Sequence, residues 1–87
     1  MRIGWSRHAR ERFFERSLKY GLNYGEVELN IKGQKVKVRQ KHGTIKTIFK
    51  IVDDFFTVVK EETRKYINVI SIWESNEEEV KLWLKKK

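Results

Sequence analysis

The sequence predicts an α+β domain in the order β-α-α-β-β-β-β-α: an antiparallel sheet, two N-terminal helices packed on one face, and a short C-terminal helix. Three observations carry this. Apolar residues between positions 7 and 31 recur at helical spacing. From Val36 onward the hydrophobic period switches to two. The strands that follow are separated only by short polar turns, which leads each to pair with its neighbour in an antiparallel meander.

Residues 2–5 supply a short first strand. Ser6 is placed as the N-cap of a helix that runs to about Lys19, and Gly21 ends it. Asn23 with Glu26 three positions on is a capping-box variant that opens a second helix through about Ile31, closed by Gly33. Val36 and Val38 alternate with Lys35, Lys37 and Arg39, the pattern of a strand with one wet face. His42-Gly43 makes a hairpin turn. The strand over 44–52 puts Ile45, Thr47, Phe49 and Ile51 on one side. Asp53-Asp54 turns the chain into a strand over 55–60, and 61–65 is a further polar turn. The strand over 66–73 is apolar on both faces and therefore central. Ser75 with Glu78 reads as a second capping box, opening a helix with the apolar stripe Val80, Trp83 and Leu84 and an i,i+4 pair between Glu77 and Lys81. Positions 84–87 read as a frayed tail.

Eighty-seven residues allow one domain, 1–87, with one core. Hydrophobic residues at 39% argue against intrinsic disorder despite 37% charged residues. Without cysteine, disulfides and thiolate metal sites are ruled out. No stretch approaches the roughly 20 apolar residues of a membrane span, and no secretory leader pattern is present. The expected location is cytoplasmic. The absence of proline and the abundance of Lys, Glu and Ile resemble a thermophile composition.

Charge is unevenly distributed. Residues 1–50 hold 13 Lys/Arg against 4 Asp/Glu, whereas residues 51–87 hold 7 against 8. An excess confined to one half implies a basic face, either a solubilising surface or a surface for a polyanion, RNA above all. On the first helix, an advance of about 100° per residue sets His8, Arg12, Arg16 and Lys19 within about 80° of one another. Ala9, Phe13 and Tyr20 flank that stripe on one side and Phe14 and Leu18 on the other, so aromatic side chains are sent to the core. The stripe reads as a solvated helix face balanced by Glu11 and Glu15, or as a row of donors for a phosphodiester.

The stretch His8-Ala9-x-x-Arg12-x-x-Glu15-Arg16, with Ser6 before it, resembles the opening "S-x-H-A-x-x-R-x-x-E-R" helix of a family of small domains of the RelE/ParE/BrnT-like toxin superfamily. The helix opened at Asn23 and the strand Val69-Ile70-Ser71-Ile72-Trp73 match the later elements of that family, and the likeness covers residues 5–73; the terminal helix departs from it. The resemblance implies a ribonuclease-type fold. It also implies a toxin-type endoribonuclease, acting on RNA (free, ribosomal or tRNA), with an acidic antitoxin protein as partner.

Cleavage of RNA without metal needs a base for the 2′-hydroxyl, cations for the phosphorane and an acid for the leaving oxygen. His8 is placed for the proton roles. Arg12 and Arg16 are placed at the phosphate; Lys60, ending its strand beside Lys46 and Lys50, is the candidate among the three to complete the cationic site, and the resemblance implies a polar side chain on the last strand, Ser71 or Tyr66. Lys19, Lys35, Lys37, Arg39, Lys46 and Lys50 are the expected nucleic-acid contacts. His42, Tyr66 and the three tryptophans have ordinary structural readings as turn, strand-edge and core residues. No metal or cofactor is expected, because neither a His-x-x-x-His pair nor a glycine-rich phosphate loop occurs. Two non-catalytic alternatives stand beside the ribonuclease: a nucleic-acid-binding module of the same fold, and an inhibitor of a protein target.

Overall fold

A computed structural model describes residues 2–33 and 36–86. Among them are five strands and three helices: β1 (Arg2–Trp5), α1 (Arg7–Tyr20), α2 (Tyr24–Gly33), β2 (Val36–Arg39), β3 (Ile45–Ile51), β4 (Asp54–Glu62), β5 (Tyr66–Glu74) and α3 (Glu77–Lys86). A single 3-10 turn, Lys41–Gly43, joins β2 to β3.

The chain is α+β as its periodicities require, but the sheet is mixed, which corrects the antiparallel expectation. Its order is β1-β5-β4-β3-β2. Strands β2 to β5 form the antiparallel meander. β1 lies parallel to β5, with Arg2 opposite Tyr66 and Gly4 opposite Asn68. The physical reason is connectivity. The two helices carry the chain from β1 to the far edge, and the meander then returns strand by strand until β5 docks beside β1 in the same direction.

α1 begins where expected. The Ala9 amide donates to Ser6 Oγ at 3.1 Å, and Gly21 ends the helix at φ 68°, a left-handed cap that glycine adopts without steric cost. Asn23 caps α2 by accepting the Glu26 amide at 2.8 Å. The third cap is shifted by one residue from the expected Ser75–Glu78 pair. Asn76 and Glu79 form the reciprocal box, each side chain accepting the other's amide at 2.9 Å. Ser75 Oγ instead meets Thr57 Oγ1 at 2.7 Å. Leu84, Lys85 and Lys86, expected in the tail, form the last turn of α3, and Lys87 lies outside the described residues.

Helices cover both faces of the sheet. α1 and α2 lie on one, where Ala9, Phe13, Val27 and Ile31 pack on Phe49, Phe56, Val58, Ile67, Val69 and Ile72. α3 lies on the other and packs on β3 and β2, over buried Val36 and Ile48. Ala9, Phe13 and, at the end of α1, Tyr20 are turned inward. Phe14 and Leu18, expected on a flank of the core, are 63% and 74% exposed, and Leu84 of the expected α3 stripe is 52% exposed. A register shift at Val59/Lys60 leaves Ile70 unmatched, since Val59 opposes Ser71 and Lys60 opposes Val69. This bulge reverses the alternation of β5. Ile67, Val69 and Ile72 therefore face α1 and α2, while Tyr66, Asn68, Ser71 and Trp73 face the other side. No helix among the described residues is long and apolar enough to cross a membrane.

Candidate nucleic-acid interface

The residues of the α1 motif divide into fasteners and surface groups. Ser6 caps the helix, and its hydroxyl also donates to the Ile70 carbonyl at 2.9 Å, which ties the start of α1 to β5. Ala9 is wholly buried. His8 is exposed, and its side chain has no hydrogen bond or ion pair among the described residues. Arg12 lies 3.5 Å from Glu15. Arg16 lies 3.6 Å from Glu15 and 4.0 Å from Glu74, and Lys19 lies 3.8 Å from Glu74. Arg7 is likewise paired with Glu11 at 3.4 Å. The cationic stripe of α1 is thus largely neutralised by acids of its own helix and of β5.

The expected catalytic set is not assembled in one place. Lys60 has no exposed surface. Its Nζ donates to the Ile31 carbonyl at 3.1 Å and to Glu62 Oε1 at 2.7 Å, holding the end of α2 on the sheet. Burial pushes its pKa down, against the opposing pull of Glu62. For Glu62, burial alone would raise the pKa, but the hydrogen bond from Lys60 and the charges of Lys60 and Lys37 hold it below the usual carboxylate range. Lys60 faces α2, away from Lys46 and Lys50 on the opposite face of the sheet, so the three do not form one cationic site. Ser71 is also turned away from α1. Strict alternation from Val69 would set it beneath the helix, but the Ile70 bulge turns it to the other side. Among the clefts in the surface, one of about 250 Å³ lies between the end of α2 and Trp83 and another beside Phe14 and Tyr24. Neither is lined by His8, Arg12, Arg16, Lys60 or Ser71.

Several of the expected nucleic-acid contacts are already engaged. Lys46 pairs with Glu79 at 2.8 Å and lies over the Trp73 ring, anchoring α3. Lys50 is exposed and lies over the Phe55 and Trp83 rings. Lys37 pairs with Glu62 at 3.6 Å. Lys35 lies outside the described residues. Arg39 is exposed and unpaired among the described residues.

Arg39 belongs to a group that sequence order hides. The β2–β3 turn, the β4–β5 turn and the start of β1 all lie at one end of the sheet, since Arg39 opposes Ile45, Ile45 opposes Lys60, Glu62 opposes Ile67, and Arg2 opposes Tyr66. That end carries Arg2, Arg39, Lys41, Arg64 and Lys65, with His42 among them. All six are exposed, and none has an ion pair among the described residues. Of the acids beside them, Glu62 is committed to Lys60 and Lys37, while Glu61 is exposed and forms no ion pair with any of these cations. Arg64 and Lys65 come from the half of the chain with no charge excess, and the sequence signal for them is only their place in a polar turn. Like charges so gathered repel one another and favour a polyanion. No cluster of three or more metal-ligating side chains occurs among the described residues.

No protein-family model matches the chain, and neither a curated protein nor a solved structure matches it.

Proposed function

We propose that this protein binds RNA through the basic end of its sheet. One observation carries the reading: Arg2, Arg39, Lys41, Arg64 and Lys65 converge from three separate segments and none is neutralised by an acid among the described residues. Uncommitted cations are the ones that release counterions when they meet phosphates. The α1 stripe, held by Glu15 and Glu74, offers less. The test is RNA affinity measured across a salt series. Affinity should fall steeply as salt rises, and a flat response would refute the reading.

A metal-independent endoribonuclease of the RelE-like type is a second reading. It is favoured by the exposed, unpartnered imidazole of His8 on the same helical stripe as Arg12. Incubation of wild type and His8→Ala with total RNA in EDTA separates the two. Cleavage lost in the variant supports catalysis; intact RNA that is nevertheless bound supports a binding module.

A further inference from the structure

We propose that the open part of the α3-bearing face, centred on Tyr66 and Asn68, seats an unstacked base of single-stranded RNA. This rests on the RNA-binding reading above and specifies the form of RNA that the basic end would hold.

The first support is coverage. α3 packs on β3 and β2 and reaches Phe55 of β4 and Trp73 of β5, at the end of that face away from Gly4, Tyr66 and Asn68. Tyr66 is 46% exposed there, Gly4 is exposed, and Asn68 and Ser71 are half-buried. The second is a group of polar side chains with no partner among the described residues. Every other described asparagine and serine has a side-chain hydrogen bond: Asn23, Asn30 and Asn76, and Ser6, Ser17 and Ser75. The Asn68 amide and the Ser71 hydroxyl have none among the described residues, nor does the Tyr66 hydroxyl. The Asn68 amide and Ser71 hydroxyl, with the exposed and unpaired Glu61 carboxylate opposite Asn68, suit a ligand bearing donors and acceptors of its own.

The third support is shape with charge. Gly4 lies opposite Asn68, so no side chain rises between Asn68 and the β1 edge. Arg2 lies opposite Tyr66 on the same face, and Arg64 and Lys65 immediately precede Tyr66. A phosphate chain following those cations would bring its bases over the tyrosine ring. Tyr66 and Asn68 are about 6.7 Å apart along the strand, so a base stacked on Tyr66 has the Asn68 amide at its edge. Stacking of this kind requires a base released from a duplex. The Ser71 hydroxyl and Asn68 amide also offer partners for a 2′-hydroxyl, which favours RNA over DNA.

The test uses the full chain with a single-stranded RNA carrying 2-aminopurine, its duplex, and the DNA of the same sequence. Wild type should prefer the single-stranded RNA and quench the 2-aminopurine. Tyr66→Ala should weaken that binding about tenfold or more and abolish the quench, while Tyr66→Phe keeps both. Gly4→Val should act like Tyr66→Ala, its γ-methyls filling the space beside Asn68; the Cβ itself meets nothing closer than Asn68 Oδ1 at 3.8 Å. If Tyr66→Ala binds single-stranded RNA like wild type while binding stays salt-sensitive, the base site falls and the basic end survives. Equal affinity for DNA overturns the choice of RNA. No salt-sensitive RNA binding at all overturns both.

Discussion

Lys46 Nζ lies 2.8 Å from Glu79 Oε2, joining β3 to α3 through a carboxylate that is 2% exposed. The other oxygen, Oε1, accepts the Trp73 indole N–H at 3.0 Å and the Asn76 amide at 2.9 Å. One acid thus closes its own helix cap and fastens that helix to the sheet. Burial works to raise the Glu79 pKa, but Lys46, the Asn76 amide and the Trp73 indole together hold it below the usual range. Its stabilisation is therefore present above the ordinary glutamate range and is lost as pH falls through the depressed folded value, because the unfolded chain takes up the proton first. Glu79→Gln should cost about 1–3 kcal/mol at pH 7. The gap from wild type should narrow on acidification, as read by urea unfolding at neutral and acid pH. A gap that widens with acid would contradict this assignment.

Lys60 is expected to be as consequential, for a different reason. Lys60→Ala leaves the Ile31 carbonyl without its donor, removes one partner of Glu62 and opens a cavity beneath α2. The expected loss is about 3–5 kcal/mol. Lys60→Met preserves most of the volume and should lose less. If Ala and Met cost the same, packing contributes little at this position.

How much of this was legible depends on sequence distance. The caps at Ser6, Gly21 and Asn23 were readable because each is closed by residues within four positions. The third was ambiguous, since Ser75-x-x-Glu78 and Asn76-x-x-Glu79 both fit the pattern. Burial of Glu79 against Lys46 and Trp73 decides it, and that is a tertiary contact. The parallel β1–β5 pairing joins segments more than sixty residues apart, and no local period reports it. Nor does periodicity announce the bulge at Ile70, which alone sends Ser71 away from α1. The basic surplus was visible in composition, but its place was not. Glu74 reaches α1 from a distant strand and neutralises part of the stripe, while three turns and strand ends gather the free cations elsewhere.

Val52 occupies the left-handed region at φ 58° in the β3–β4 turn and is 81% exposed. A β-branched side chain there is strained by roughly 1–2 kcal/mol, and asparagine adopts this conformation more readily. Val52→Asn should raise stability by about 1 kcal/mol, or a Tm gain of roughly 4–8 °C for a domain of this size. Calorimetry on the two proteins decides it, and an unchanged or lower Tm would show that the turn is not strained.

The charge map separates two surfaces that composition alone merges. Arg64 and Lys65 are exposed and unpaired among the described residues, whereas Arg12 and Lys19 are held by Glu15 and Glu74. If RNA lies on the basic end, replacing Arg64 and Lys65 together by alanine removes two phosphate contacts. The slope of log affinity against log salt should then become shallower by about 1.4, at roughly 0.7 per contact for a single strand. The Arg12→Ala, Lys19→Ala pair removes the same formal charge. Its slope should stay close to that of wild type, because the slope counts phosphates neutralised and neither cation meets one on this path; the freed Glu15 and Glu74 carboxylates lower affinity without changing that count. Equal formal charge with unequal slopes distinguishes a located site from a diffuse field, since a diffuse field responds only to net charge. Equal slopes for the two pairs would return the basic end to a solubilising surface, and a larger effect at Arg12 and Lys19 would move the RNA path onto α1.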